Sequence, residues 1–302
     1  MEINTGRGIA QAVSTSALAL AATMPAQLNA QDTGITNNAG LAGLKISVDG
    51  GASFSNFTEE FWTDGGAKLG SLDEDIGYYG SIAVSKSIAN AWDWRVTATH
   101  IGMPETSNLF TSGSDAATLG GKFSATNVDF DLGKSMDYGS TDVRFGFGLT
   151  GTRVNQTVNK GFITSGGAAN GDYGTSFTGF GAKISADVSR PFNEASPYRL
   201  IAGGSVAAMR GKYTADKGIS ATSGGGGGTF EISDSATGGL LTESLYLGMA
   251  YDFSTNSSMR FGIRADRFDS SDVTYFGGSN TTGLLENPVL VKTAFVGVDI
   301  QF

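Results

Sequence analysis

Charged residues are sparse in this chain, 20 lysines and arginines against 29 aspartates and glutamates over 302 residues, and many sit at every second position of an otherwise apolar stretch. In VDFDL, Asp129 and Asp131 alternate with Val128, Phe130 and Leu132. In WDWRV, Asp93 and Arg95 alternate with Trp92, Trp94 and Val96. The same parity puts Lys45, Asp49, Arg144, Lys183, Asp187, Arg260, Arg264, Asp266 and Asp299 opposite apolar neighbours. A strand sends successive side chains to opposite faces, so these residues belong to one face of a sheet. Charges of both signs on one face suit cross-strand ion pairs. They matter most in a narrow, poorly hydrated interior, where an unpaired charge is costly. They would equally line a conduit for small polar solutes.

Other chemistry-bearing residues carry less. His100 is the single histidine, and the parity of its stretch places it outward with Trp92, Trp94 and Val96, the setting of an interfacial rather than a catalytic group. GFGLTG (146–151) matches a dinucleotide-binding glycine pattern but lies inside an alternating stretch with no helix after it. The glycine run at 224–228 lacks the Lys-Ser/Thr of a phosphate loop and reads as a flexible external loop. Glu59, Glu60 and Asp64, with SLDEDIG, make an acidic first loop without a fixed cation-ligand spacing, hence a solvated loop. Cysteine is absent, which removes disulfides and thiolate chemistry. No cofactor or metal site and no enzymatic activity are expected. A net charge of -9 offers no basic field for nucleic acid.

The elements that must position the charges are repeated strands. Period-two runs fall near 44–57, 76–88, 92–102, 122–134, 141–155, 175–190, 197–213, 241–253, 258–271 and 290–302. The run at 197–213 alternates poorly. Short links near 89–91, SMDYGS, PFNEAS and STNS alternate strictly with long ones at 58–75, 103–121, 156–174, 214–240 and 272–289. All are rich in Gly, Ser, Asn and Asp, the turn formers. This is an antiparallel meander trimmed at one end and elaborated at the other, as in barrels with short periplasmic turns and long external loops.

Alternation alone does not separate a soluble sandwich from a membrane barrel. Three features favour the barrel. The polar face is rich in glycine, of which the chain has 45. Aromatics gather near strand ends, at Tyr78, Trp92, Trp94, Tyr138, Phe192, Tyr198, Tyr251, Phe253 and Phe302, as interfacial girdles require. The runs are long enough to cross a bilayer at a tilt. No apolar stretch is long enough for a membrane helix. VKTAFVGVDIQF (291–302) alternates to the last residue, which predicts that the last strand pairs with the first. The expected fold is therefore all-β, an antiparallel up-and-down transmembrane β-barrel of about ten strands over 44–302. Residues 1–30 read as a cleaved signal peptide, with Arg7 before a mildly apolar VSTSALALAATM and small residues at LNA (28–30). Residues 31–43 are a periplasmic lead-in.

WDWRVTATH (92–100), VDFDLGKSM (128–136), SFTGFGAKISADVSRPF (176–192) and LYLGMAYDF (245–253) occur in that order. Together they resemble the Legionella-type major outer-membrane and pore-forming protein family. The resemblance implies a bacterial outer-membrane barrel with porin-like activity, and no functional residue is carried over from it. The terminal VDIQF also resembles the C-terminal assembly signal of such barrels. The expected partners are outer-membrane lipid, lipopolysaccharide and, through Phe302, the outer-membrane assembly machinery. Ten-stranded barrels include omptin-type proteases, but His100 faces the wrong way for that role. Two function classes follow: porin-like passage of small polar solutes or ions through a narrow charged lumen, or a structural or surface-interaction (adhesin-like) barrel with a closed lumen. Ten strands sit near the size at which side chains fill the interior.

Overall fold

The computed structural model describes residues 43–55, 60–62, 68–71, 76–88, 90–112, 115–223, 226–270 and 288–302. The strands are β1 (Leu44–Ser55), β2 (Glu60–Trp62), β3 (Lys68–Ser71), β4 (Gly77–Ser87), β5 (Trp92–Ser112), β6 (Asp115–Tyr138), β7 (Thr141–Thr164), β8 (Gly167–Pro191), β9 (Tyr198–Ser223), β10 (Gly226–Ser254), β11 (Ser257–Ser270) and β12 (Val289–Gln301). Ten of them close into a barrel in the order β1-β12-β11-β10-β9-β8-β7-β6-β5-β4, while β2 and β3 pair separately. Every pairing in the ring is antiparallel. Closure joins the first strand to the last, with Lys45 opposite Gln301 and Ser55 opposite Val291. A closed ring leaves no edge at this level and satisfies every backbone group internally, the condition for a sheet in lipid.

Both ends of the ring sequence lie at one end of the barrel, where the Phe302 amide donates to the Leu44 carbonyl and the Gly43 amide to the Phe302 carbonyl. The short links are at this terminal end. Between β6 and β7 the chain turns in two residues, and Gly139, at φ 66°, takes the left-handed position a type II′ hairpin demands of its first central residue.

The far end departs from expectation. The links expected at 103–121, 156–174 and 214–240 are not loops. They continue the strands, so that β5 to β10 project well beyond the remaining strands as paired hairpins, with Ser112 opposite Asp115, Thr164 opposite Gly167 and Ser223 opposite Gly226. Of the glycine run at 224–228, expected as a flexible loop, the described residues 226–228 belong to β10. Beyond the apolar band the outward face of a strand meets water, so period-two hydrophobicity fades while the hydrogen-bond ladder continues and only scattered inward residues such as Leu119 and Val158 stay buried; that is why these segments read as loops. The expected leader (1–30), the lead-in up to residue 42 and most of the acidic first loop lie outside the described residues.

Outward positions form an apolar band. In β7 they run Val143, Phe145, Phe147 and Leu149 before turning polar at Arg153 and Asn155. In β8 they run Val188, Ala186, Ile184, Ala182 and Phe180 before Thr178 and Ser176. A band of about nine residues on tilted strands matches the hydrocarbon thickness. Trp92, Tyr138, Phe192, Tyr198, Phe253 and Phe302 are exposed and belong to a girdle at the terminal end. Of the expected girdle aromatics, Tyr78 lies toward the other border.

Candidate functional site: the barrel interior

The sheet gathers inward charged side chains from most strands of the ring into a layer toward the terminal end of the lumen. Arg144 on β7 donates from Nε and Nη2 to Asp93 on β5, Nε at 3.0 and 2.9 Å from the two carboxylate oxygens. Arg95 on β5 reaches Asp187 on β8 at 2.8 Å. Lys183 on β8 bridges to Asp129 on β6 at 2.6 Å and lies 3.5 Å from Asp131. Arg260 on β11 joins Asp49 on β1 at 2.8 Å and Asp299 on β12 at 3.1 Å. Lys45 adds 2.9 Å to Asp299, and Arg264 makes two 2.7 Å bonds to Asp266. The structure places all thirteen charged residues expected on the inward face in ion pairs, in four separate groups: Lys45, Asp49, Arg260 and Asp299; Asp93, Arg95, Arg144 and Asp187; Asp129, Asp131 and Lys183; and Arg264 with Asp266.

Most of these pairs skip a strand, which the sequence did not foretell. The register explains how. Gly297 on β12 lies directly between Asp49 on β1 and Arg260 on β11. A Cβ there would overlap the Asp49 carboxylate, so only glycine leaves room for the pair to pass over the middle strand. Gly133 on β6, opposite Asp93, plays the same part beneath the Arg144 guanidinium. The glycine-rich polar face is thus the floor over which ion pairs bridge.

Arg199 and Asp252, joined by two bonds of 2.7 and 2.6 Å, also face inward and are absent from the expected set. Arg199 lies in the stretch whose alternation is weakest. Tyr246 donates to Asp187 at 3.0 Å, and the Tyr79 ring lies under the Arg264 guanidinium at 5.3 Å. Within this layer lie two polar cavities, of about 270 and about 120 Å³. Both are large enough for water; near them Asp131 Oδ1, Arg144 Nη1 and Ser185 Oγ are buried without a hydrogen-bond partner among the described residues.

Farther along the lumen the chemistry changes. Ile101, Phe123, Val154, Phe177, Tyr213, Leu240, Phe268 and Val291 are fully buried and belong to one apolar cluster. They share inward parity with the charges: Phe123 with Asp129, Phe177 with Lys183, Phe268 with Asp266. Phe177 and Tyr213 rings pack at 4.7 Å, Phe123 and Phe268 edge to face at 5.5 Å. The Tyr213 hydroxyl donates to the Gly239 carbonyl at 2.7 Å. The lumen is therefore not polar throughout, as the sequence suggested; a dry septum stands above the charged layer. The signal in the sequence is the continued parity of Phe123, Phe177 and Phe268 with the inward charges.

His100 lies on the outward face. Its Nδ1 is 2.8 Å from Thr126 Oγ1 and its Nε2 is 3.3 Å from the Tyr78 hydroxyl. Residues 146–151 lie inside β7.

No family model and no curated protein matches the chain. Among solved structures, the outer membrane protease OmpT from Escherichia coli aligns with a TM-score of 0.51 at 11% identity, over 86% of this chain and 96% of that one. Neisserial surface protein A aligns at 0.32 with 13% identity, over 86% and 98%, and the NanC porin at 0.34 with 11%, over 85% and 100%. At these identities the likeness is one of architecture: the chain has the fold of an outer-membrane β-barrel. The narrower resemblance to the Legionella-type family is not carried by any of these matches.

Proposed function

We propose that the chain is a bacterial outer-membrane barrel with a closed lumen, acting as a structural or surface-interaction protein through the β-projection at its far end. The observation that carries this reading is the apolar septum of Phe123, Phe177, Tyr213, Leu240 and Phe268 across the lumen. A polar solute passing it would shed its hydration without gaining partners, which is costly. Below it, each of the seven inward cations already holds a carboxylate, leaving little charge to attract a permeant ion. Loops and projections on a rigid scaffold are where binding usually resides. The terminal end faces the periplasm in this reading, with the leader removed on export and Phe302 read by the assembly machinery. Outer-membrane lipid and lipopolysaccharide surround the apolar band. His100 has hydroxyl neighbours in place of a carboxylate that could activate it, which supports a non-enzymatic role.

Planar-bilayer recording of the refolded chain tests the proposal. Absence of discrete steps from protein shown to be folded is the expected result. Reproducible steps whose ion selectivity shifts when Arg144 and Arg260 are neutralised would establish the porin-like passage instead.

A further inference from the structure

Outward cations at the far border of the apolar band are distributed unevenly around the barrel. Arg153 on β7, Thr178 on β8 and Lys212 on β9 occupy one cross-strand row. Arg210 precedes Lys212 on the same face, in the row that holds Phe180. All of these side chains are exposed. With neighbouring strands about 4.8 Å apart, Arg153 and Lys212 stand about 10 Å apart with Thr178 between them. None of the three cations has a carboxylate partner among the described residues; Arg153 makes only a 3.4 Å contact to Asn155. The nearest outward carboxylates on these strands, Asp172 and Asp216, lie farther from the band, Asp216 about 13 Å along β9 from Lys212. On β10 and β11, by contrast, the outward Arg267 is neutralised by Glu243 at 3.2 Å and Asp269 at 2.6 Å. Directly beside the unpaired cations is Phe180, at 77% the most exposed of the large apolar side chains.

We infer that the β7–β9 face is a binding site for a phosphorylated lipid of the surrounding leaflet, with Arg153, Arg210 and Lys212 on the headgroup phosphates, Thr178 between them, and acyl chains against Phe180, Ile184 and Leu149. The juxtaposition selects an amphiphile: cations alone would take any anion, and the apolar band alone any lipid. Basic side chains at the edge of a hydrocarbon layer attract anionic headgroups, each cation strengthening binding about fivefold. The guanidinium groups also match phosphate oxygens in bidentate geometry. The site rests on the membrane placement of the barrel and is independent of whether the lumen conducts, so silence or steps in bilayer recordings leave it untouched.

Native mass spectrometry of the detergent-refolded full chain tests the site with three probes: diphosphorylated lipid A, the same glycolipid fully dephosphorylated, and inorganic phosphate. The expected result is retention of the phosphorylated lipid, weakened about thirtyfold in an Arg153→Gln/Lys212→Gln variant and unchanged in Arg267→Gln. The dephosphorylated lipid should bind wild type no better than the phosphorylated one binds the double variant. Equal binding by wild type and double variant would overturn the site, and so would equal loss in Arg267→Gln. Competition by inorganic phosphate at millimolar concentration would show a simple anion site and overturn the lipid assignment. Should the double variant fail to fold, Arg210→Gln replaces it, with a weakening of about fivefold expected and its absence counting against the site.

Discussion

At the residue scale, the interior is governed by the cost of a buried charge. Arg144 is the clearest case, with a side chain only 8% exposed and a carboxylate partner, Asp93, at 16%. Such a pair adds little net stability over an apolar pair of the same shape, but breaking it is expensive. Arg144→Ala should destabilise the barrel by about 3 kcal/mol, because the Asp93 charge remains with no partner. The Arg144→Ala/Asp93→Ala double variant should lose less than the sum of the single losses, since the two side chains form one unit. Urea unfolding in detergent micelles, followed by tryptophan fluorescence, measures both, and strict additivity would remove the pair as a unit.

At the element scale, hairpin turns set the register that brings those residues together. A one-residue slip would exchange the faces of a whole strand and drive the charges into lipid. The β4–β5 turn carries a strain that is visible in its backbone: Asn90 and Ala91 both adopt positive φ, 52° and 64°. Asparagine tolerates that region, whereas alanine pays about 1 kcal/mol for it. Ala91→Gly should therefore raise stability by somewhat less than 1 kcal/mol, because the added glycine entropy offsets part of the relief. The unfolding midpoint in the same urea assay reads it, and a lower midpoint would show that the left-handed position is not what limits this turn.

For the whole molecule, the arrangement of polar and apolar layers along one lumen decides between conduit and plug. Ten strands enclose a space only slightly wider than the eight-stranded case that side chains fill. Large side chains at one level suffice to close it, and Phe123 and Phe177 belong to that level. Phe123→Ala/Phe177→Ala should convert a silent barrel into one with measurable, poorly selective conductance. The expected cost is about 3–5 kcal/mol per substitution, so folding must be confirmed by electrophoretic mobility before and after heating. Continued silence from the folded variant would locate the barrier in the charged layer below.

Period-two alternation and turn chemistry determined by themselves that the chain is an antiparallel meander, and the strand parity alone placed Asp129, Lys183 and Arg260 on a common face with the other charges. Both follow from local geometry, since a strand alternates faces whatever surrounds it. Three things were decided only in the closed barrel. Which charge meets which depends on register across non-adjacent strands, so that Arg260 finds Asp49 over Gly297. Whether 103–121, 156–174 and 214–240 are loop or ladder depends on backbone hydrogen bonds, which leave little hydrophobic period once the outward face is polar. Whether the lumen is open depends on how far side chains from opposite walls reach, and that is a property of the ring's width. No single strand carries it, although the inward phenylalanines were in plain view.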